Sequence, residues 1–369
     1  MSNSRSAEID AFLKHAGWGN ASRAAMHGDA STRRYIRLDR GGRKAMLMDQ
    51  PQTAETPTAP VDATPDERRA LGYNAVARLA GADINRFAAA SNYLRTQGLS
   101  APEIYAADPL HGFAIIEDLG DALYCDIADR ANEIDLYTAA ADVLAALHIS
   151  AAPSKLPPDK ALHRYDETAL LAEVDLLPEW FMPVALGRTA STEEFAEHRA
   201  LWQEVLLETL KATPVFVHRD FHAQNLIWLP QRRGLARVGV LDFQDAVAGS
   251  NAYDLISLIE DARRDVAPQI AQATTSHYIA AMRRQGTALD EEVYRSQMAV
   301  MAAQRNAKIA GIFARLFKRD RKPRYLDYMP RVWGYLNRDL EDPALRSLKA
   351  WYDRTIPRDN RGATQGATL

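Results

Sequence analysis

Residues 218–225 read HRDFHAQN, a dense polar run between the apolar triplets Val215-Phe216-Val217 and Leu226-Ile227-Trp228. His218 and His222 stand four apart, as in the helical zinc motif H-E-x-x-H. Arg219, however, occupies the place where that motif needs its general-base glutamate, and the strand-like lead-in puts the pair in a loop. A zinc site is therefore rejected. A second spacing, His218, Asp220 and Asn225, fits phosphoryl transfer. That chemistry needs positioning and charge neutralisation more than covalent help. One carboxylate must accept the proton of the acceptor hydroxyl, and a neutral oxygen ligand must help hold Mg2+. A further carboxylate must bridge the metal to the nucleotide phosphates. Asp220 and Asn225 suit the first two tasks. Asp242, which ends the strand-like run VGVLDF, suits the third. The competing reading of the octapeptide is a capped polar turn between two strands.

These residues need elements to position them. Residues 23–48 alternate and turn like two or three short strands: RAAMH, then GDASTRR, YIRL, the turn DRGGR, and KAMLM. Residues 50–65, rich in Pro, Thr and Ala, read as a flexible loop. Ile84, Phe87, Ala88, Ser91 and Leu94 have helical spacing, and the helix stops at Gly98. PEIYAAD and FAIIEDLGD read as two strands. Beyond residue 120 helices dominate, over 137–148, 195–210, 252–262 and long stretches to about 318. The hairpin NLIWL/RVGVLDF interrupts them. The tail from Ile356 reads as disordered.

Bulk properties narrow the classes. Hydrophobic residues make up 47% and charged residues 25%, an ordinary globular balance. The formal charge of -3 creates no general attraction to nucleic acid or an anionic membrane, so neither is expected as a partner. Cys125 is the lone cysteine, which rules out an internal disulfide and a cysteine-based zinc site. The N-terminal residues lack the apolar core of a signal peptide, and no apolar run is long enough to span a bilayer. A cytoplasmic setting is expected. The sequence carries no signal for an oligomeric state.

HRDFHAQN together with VLDFQDAVAGSNAYDL resembles the catalytic and metal-binding segments of the aminoglycoside-phosphotransferase-like kinases, small-molecule relatives of the protein kinases. The resemblance covers most of the chain. It implies an α+β, bilobal, protein-kinase-like fold. Residues 1–120 would be a small β-rich nucleotide-binding lobe and 121–355 a larger, mainly helical lobe with the catalytic loop and acceptor site, leaving 356–369 as a tail. It also implies ATP and Mg2+, with Asp220 as catalytic base and Asn225 and Asp242 as metal ligands. Glu117, Asp118 and Leu119 would form the hinge that meets adenine, and Asp254 would support the catalytic loop. A charge favourable to its own helix start is an equally good role for Asp254. GDASTRRYIRL, AMLMDQP, SAPEIYAAD, GFAIIEDLGD, LDFQDA and QRNAKIAGIFARL, in that order, resemble one branch: the anomeric N-acetylmuramate/N-acetylglucosamine kinases of bacterial cell-wall recycling.

The chain departs from the wider kinase pattern. Met48 stands where the strand lysine is expected, and the helix over 84–97 has no glutamate to pair with it. Arg33, Arg34 and Arg37 are candidates to replace that lysine, with the backbone of Gly28, Asp29, Ala30, Ser31 and Thr32 cradling the phosphates. Solvated arginines on an edge strand are the alternative. GWGNAS at 17–22 reads as a helix-ending turn, and no P-loop is present.

Electrostatics bear on the acceptor. Nine Lys or Arg lie between 301 and 331 against Asp320 and Asp327. Arg305, Lys308, Arg315 and Arg319 share a helical stripe, with Arg305 and Lys308 the best candidates to face inward. A basic cleft would repel a polycationic aminoglycoside and favour an anionic amino sugar such as N-acetylmuramate. A solvated basic surface is the alternative. His222, Gln224, Gln244 and Asp245 are candidates for sugar hydroxyls, and Trp180 for a stacking platform. Rival functions are a kinase of the same fold acting on an aminoglycoside, choline or a homoserine-like alcohol, and a non-catalytic nucleotide-binding regulator.

Overall fold

The computed structural model describes residues 3–26, 33–51, 58–79 and 83–362. The chain forms two compact units, each assembled from three segments. Unit 1 comprises Met1–Ile127, Ser154–His163 and Gln224–Ala246. Unit 2 comprises Ala128–Pro153, Arg164–Ala223 and Val247–Leu369.

Unit 1 is built on an antiparallel five-stranded sheet. Helix α1 (Asn3–His15) precedes β1 (Ser22–Ala25), β2 (Arg34–Arg40) and β3 (Arg43–Asp49). Helices α2 (Pro65–Leu71) and α3 (Ile84–Thr96) follow, then β4 (Ile104–Asp108) and β5 (Phe113–Ile116). The spatial order is β1-β2-β3-β5-β4. Arg40 pairs with Arg43 across Gly41-Gly42, whose φ values of 62° and 89° match the twist of a tight hairpin at no steric cost. Asp39 accepts the Gly42 N–H at 2.8 Å. Period-two alternation puts Leu38, Ala45, Leu47, Phe113 and Ile115 on one face, where Ile9, Phe12 and Leu13 of α1 cover them. Thr64 and Glu67 form a capping box at α2. Asp83 caps α3, and Gly98, at φ 78°, follows its end.

Unit 2 is mainly helical. Its longest helix, Glu291–Lys318, packs against Glu167–Val174, Tyr253–Ile259 and Met329–Asp339. Gly311 on the long helix is required by space: a Cβ there would lie 2.5 Å from the carbonyl carbon and Cβ of Leu176. Helix Glu133–His148 packs on Pro268–Arg284. Phe181, His198, Trp202, Trp333, Trp351 and Tyr352 form an aromatic core.

Two strand pairs are nested in sequence. Val215–Val217 pairs with Val247–Gly249 in unit 2. Leu226–Trp228 pairs with Val238–Val240 in unit 1, which is the expected hairpin. The chain thus leaves unit 2 within HRDFHAQN and returns just after Asp242-Phe243-Gln244-Asp245.

Some expected boundaries shift. The helix expected over 252–262 stops at Ile259, where Glu260 leaves helical geometry at φ -119° and ψ 55°. The tail does not begin at Ile356. Ile356 is fully buried, and the Arg361 guanidinium donates to Ile356 O, Asn337 Oδ1 and Asp353 Oδ1. These bonds hold the chain to residue 362. Residues 52–57 of the expected flexible loop and 363–369 of the expected tail lie outside the described residues. So do Gly28, Asp29, Ala30, Ser31 and Thr32.

Candidate active site

Asn225 and Asp242 sit at one end of the same strand pair in unit 1. Leu226 faces Val240, and the Leu241 N–H donates to the Asn225 carbonyl at 2.9 Å, so the register brings the two residues together. Asp242 adopts a left-handed backbone, φ 60°, uncommon for a residue with a side chain and typical of strained functional turns. The buried Arg33 donates to Asp242 Oδ1 at 2.6 Å and to Gln244 Oε1 at 2.5 Å, and Gln244 donates to the same Asp242 oxygen at 3.2 Å. Burial alone would lower the affinity of Arg33 for its proton; Asp242, Tyr35 and Asp245 more than reverse that, so the charge is permanent. Asn225 and Asp242 are hard oxygen donors of the kind Mg2+ takes when its remaining ligands are phosphates and water. Among the described residues no group of three or more His, Cys, Asp or Glu could form a protein-only cage.

The segment after Asp242 is clamped by arginines that the sequence reading passed over. Arg78 donates to Asp245 Oδ2 at 2.9 Å. Arg86 of α3 is buried and donates to the carbonyls of Gln244, Ala246 and Ala161 at 2.9–3.0 Å. An arginine in an amphipathic helix reads as a surface residue, and only the fold shows Arg86 inside. Met48 lies in β3 between Tyr35 and Ala114, with the Tyr35 hydroxyl 3.6 Å from its sulfur. Of the other arginine candidates, Arg37 is held by Asp118 and Asp121 at 2.7–3.2 Å, and Arg34 is exposed. In the expected hinge the Glu117 N–H already donates to Glu103 O at 2.8 Å, and its carboxylate binds Arg232. Leu119 packs on Ile227 and Leu229.

Asp220 belongs to unit 2. The fully buried Asp254 accepts the His218 N–H at 2.6 Å and the Arg219 N–H at 2.9 Å, which fixes the start of the loop. Arg219 has φ 76°, packs over the Tyr165 ring, and donates to Glu173 Oε1 at 2.6 Å. Burial pushes the Asp220 carboxyl up, but Lys308, His222, Arg219 and His218 outweigh it and hold the group at about 2. Asp220 is therefore ionised at any physiological pH. Burial holds His222 below its ordinary value, with Asp261 and Asp220 pulling the other way.

The remaining candidates divide. Lys308 reaches Glu173 at 3.2 Å and the Tyr253 hydroxyl at 2.7 Å and acts on Asp220 by charge. Arg305 is buried and donates to Glu260 O at 3.0 Å. Farther along the basic stripe Arg319 is exposed and paired with Asp320. Trp180 is partly exposed on the turn Leu177–Phe181. Gln224 is exposed in unit 1. Glu173, the hub that holds Arg219 and Lys308, was not foreseen, since the second of two glutamates in the run ETALLAEV offers no periodic signal.

Comparison with known proteins identifies the family of the chain. The model of the phosphotransferase enzyme family matches residues 23–289. The chain is 45% identical over 368 residues to the N-acetylmuramate/N-acetylglucosamine kinase of Caulobacter vibrioides, covering 98% of this chain and 99% of that one. It is 31% identical over 339 residues to the enzyme of the same name from Pseudomonas putida, covering 89% and 88%. Among solved structures, the microcompartment-associated aminopropanol kinase aligns with a TM-score of 0.62 at 15% identity, covering 93% of this chain and 99% of that one. Choline kinase from Cryptosporidium parvum aligns with a TM-score of 0.57 at 12% identity, covering 94% and 99%. These likenesses establish the kinase-like α+β fold. With a family match over most of its length and full-length relatives above 30% identity, the chain belongs to the phosphotransferase enzyme family.

Proposed function

We propose that this protein is an ATP-dependent sugar kinase that phosphorylates the anomeric hydroxyl of N-acetylmuramate and N-acetylglucosamine, giving the sugar 1-phosphate in peptidoglycan recycling. The observation that carries this reading is the 45% identity, over nearly all of both chains, to a kinase named for those two sugars.

The reaction breaks the bond between the γ-phosphorus and the β–γ bridging oxygen of ATP and forms a bond from the acceptor oxygen to that phosphorus. Asp220 orients the acceptor hydroxyl and takes its proton. A carboxylate held at about 2 is a weak base, so its main work is orientation, with the proton moving late. The anomeric hydroxyl, more acidic than other sugar hydroxyls, suits such a base. Asn225 and Asp242 would hold Mg2+, which when bound offsets phosphate charge. Arg33 provides a fixed positive charge on the nucleotide side, in the role of the lysine that Met48 replaces. His222 and Lys308 lie on the acceptor side with Asp220.

The test is phosphate transfer from ATP to a panel of amino sugars, with 31P NMR placing the phosphate. The expected product carries it on the anomeric oxygen, and activity disappears with EDTA and returns with Mg2+. Phosphate on the 6-hydroxyl, or no sugar product, would overturn the reading.

A further inference from the structure

Glu173 has a place in this chemistry that no motif assigns. Its carboxylate is fully buried and gathers four donors. Arg219 and Lys308 bind Oε1 at 2.6 and 3.2 Å. The Tyr165 hydroxyl and Gln304 Nε2 bind Oε2, the latter at 3.1 Å. Gln304 also donates to Leu170 O at 3.2 Å. Arg219 precedes Asp220 in the chain, so one carboxylate ties the catalytic loop and the long helix to a single point. Lys308 meets Glu173 and the Tyr253 hydroxyl with two of its three N–H donors, and its side chain is only 12% exposed. Isolated, any of these charges would be costly to bury. Together Glu173 and Asp220 balance Arg219 and Lys308.

We propose that Glu173 is a positioning residue for phosphoryl transfer: by holding Lys308 and Arg219 on one oxygen it keeps the Lys308 ammonium within electrostatic reach of Asp220, where the charge serves the transfer instead of anchoring the acid group of an acceptor. The proposal rests on the kinase reading above. Two further observations support it. Lys308 is the strongest charge keeping Asp220 ionised, ahead of His222, Arg219 and His218 and opposed by Asp254. Arg305, the other inward cation of the same helix, is committed to Glu260 O at 3.0 Å. The basic stripe inferred from sequence thus resolves, at its inner end, into fixed structural charges.

The experiment compares Glu173→Gln and Lys308→Met with wild type, using N-acetylglucosamine and N-acetylmuramate side by side. Only the second sugar has a carboxylate. Both variants are expected to lose kcat by about tenfold or more on both sugars alike, with each KM changed by less than about twofold. In protein with 13C-labelled aspartate carboxyls, Lys308→Met is expected to raise the Asp220 midpoint by at least about one pH unit. A KM for N-acetylmuramate raised about tenfold with N-acetylglucosamine unaffected would make Lys308 a carboxylate anchor and overturn the proposal. So would wild-type kcat in either variant. Should Glu173→Gln fail to fold, Glu173→Asp, which keeps the charge but draws it back from Lys308 and Arg219, replaces it with the same loss of kcat expected, and wild-type kcat in it overturns the proposal. If the wild-type protein phosphorylates neither sugar, the kinase reading fails. The Asp220 titration still decides this proposal, and a midpoint unmoved by Lys308→Met overturns it.

Discussion

With Asp220 as the proposed base, it is Asp254 that should set the acid limit of the reaction. Burial raises the Asp254 carboxyl to about 6, with Asp220 adding to the rise and with His218 and the two loop N–H groups opposing it. The shift of about 2 units from 3.8 corresponds to ~3 kcal/mol at 1.36 kcal/mol per unit. Because the folded value lies above the unfolded one, this contribution to stability is full below about pH 4 and is lost as pH rises through about 6. The loop needs the opposite form. Two N–H donors converge on the carboxylate, and protonation turns one acceptor oxygen into a competing donor. Asp254→Asn mimics the protonated state at every pH. It should relieve up to ~3 kcal/mol of ionisation cost and lose ~1–3 kcal/mol by leaving a buried N–H unpaired. Net stability should therefore change by less than about 2 kcal/mol. Turnover at pH 7 should fall by about 10- to 100-fold, because the loop loses its register. The assay is kcat/KM for sugar phosphorylation from pH 5 to 8, with urea denaturation alongside. Wild type should lose activity below about pH 6, and Asp254→Asn should show a lower profile without that step. Phosphate titration of ATP is common to both proteins and cancels in their ratio. A step near pH 6 that persists in Asp254→Asn, or its absence from wild type, would refute the reasoning.

Three other outcomes are expected. Asp220→Asn should keep its unfolding midpoint in urea while turnover falls by about 100-fold or more; near-normal phosphorylation would remove Asp220 from the mechanism. Arg33→Met should raise the KM for ATP by about tenfold or lower kcat to match, since Asp242 loses its buried counter-charge; unchanged nucleotide kinetics would return Arg33 to a purely structural role. Gly311→Ala should destabilise unit 2 by about 1–3 kcal/mol or more, because the new methyl meets Leu176 at 2.5 Å; an unchanged urea midpoint would mean the long helix can shift freely.

Much of the fold was legible because it rests on local rules. The Gly41-Gly42 turn, the period-two faces of β2 and β3, and Gly98 after α3 each state their role within a few residues. The nearness of Asn225 to Asp242 was legible for a related reason: Asn225 precedes one strand of the hairpin and Asp242 follows the strand that pairs back on it. Glu173 and Arg86 were not legible. They act over separations of 46 and 158 residues in sequence. Neither carries a local signature that separates it from a surface charge. The tail misled for the converse reason. Its Gly and Thr content suggested disorder, while Arg361 found partners in two helices already passed.

The interleaving of the two units has a practical consequence. No single cut yields either unit whole. A fragment ending at residue 127 would keep the sheet but lose Ile227 and Leu229, which cover Leu119, and the Trp228 N–H that binds Ala122 O. A chimera between relatives would have to exchange three separate stretches together to keep one unit's interior from a single parent. Expression of halves, fragment complementation and recombination at a single crossover should all fare poorly, and limited proteolysis within 218–225 should disable both units at one stroke.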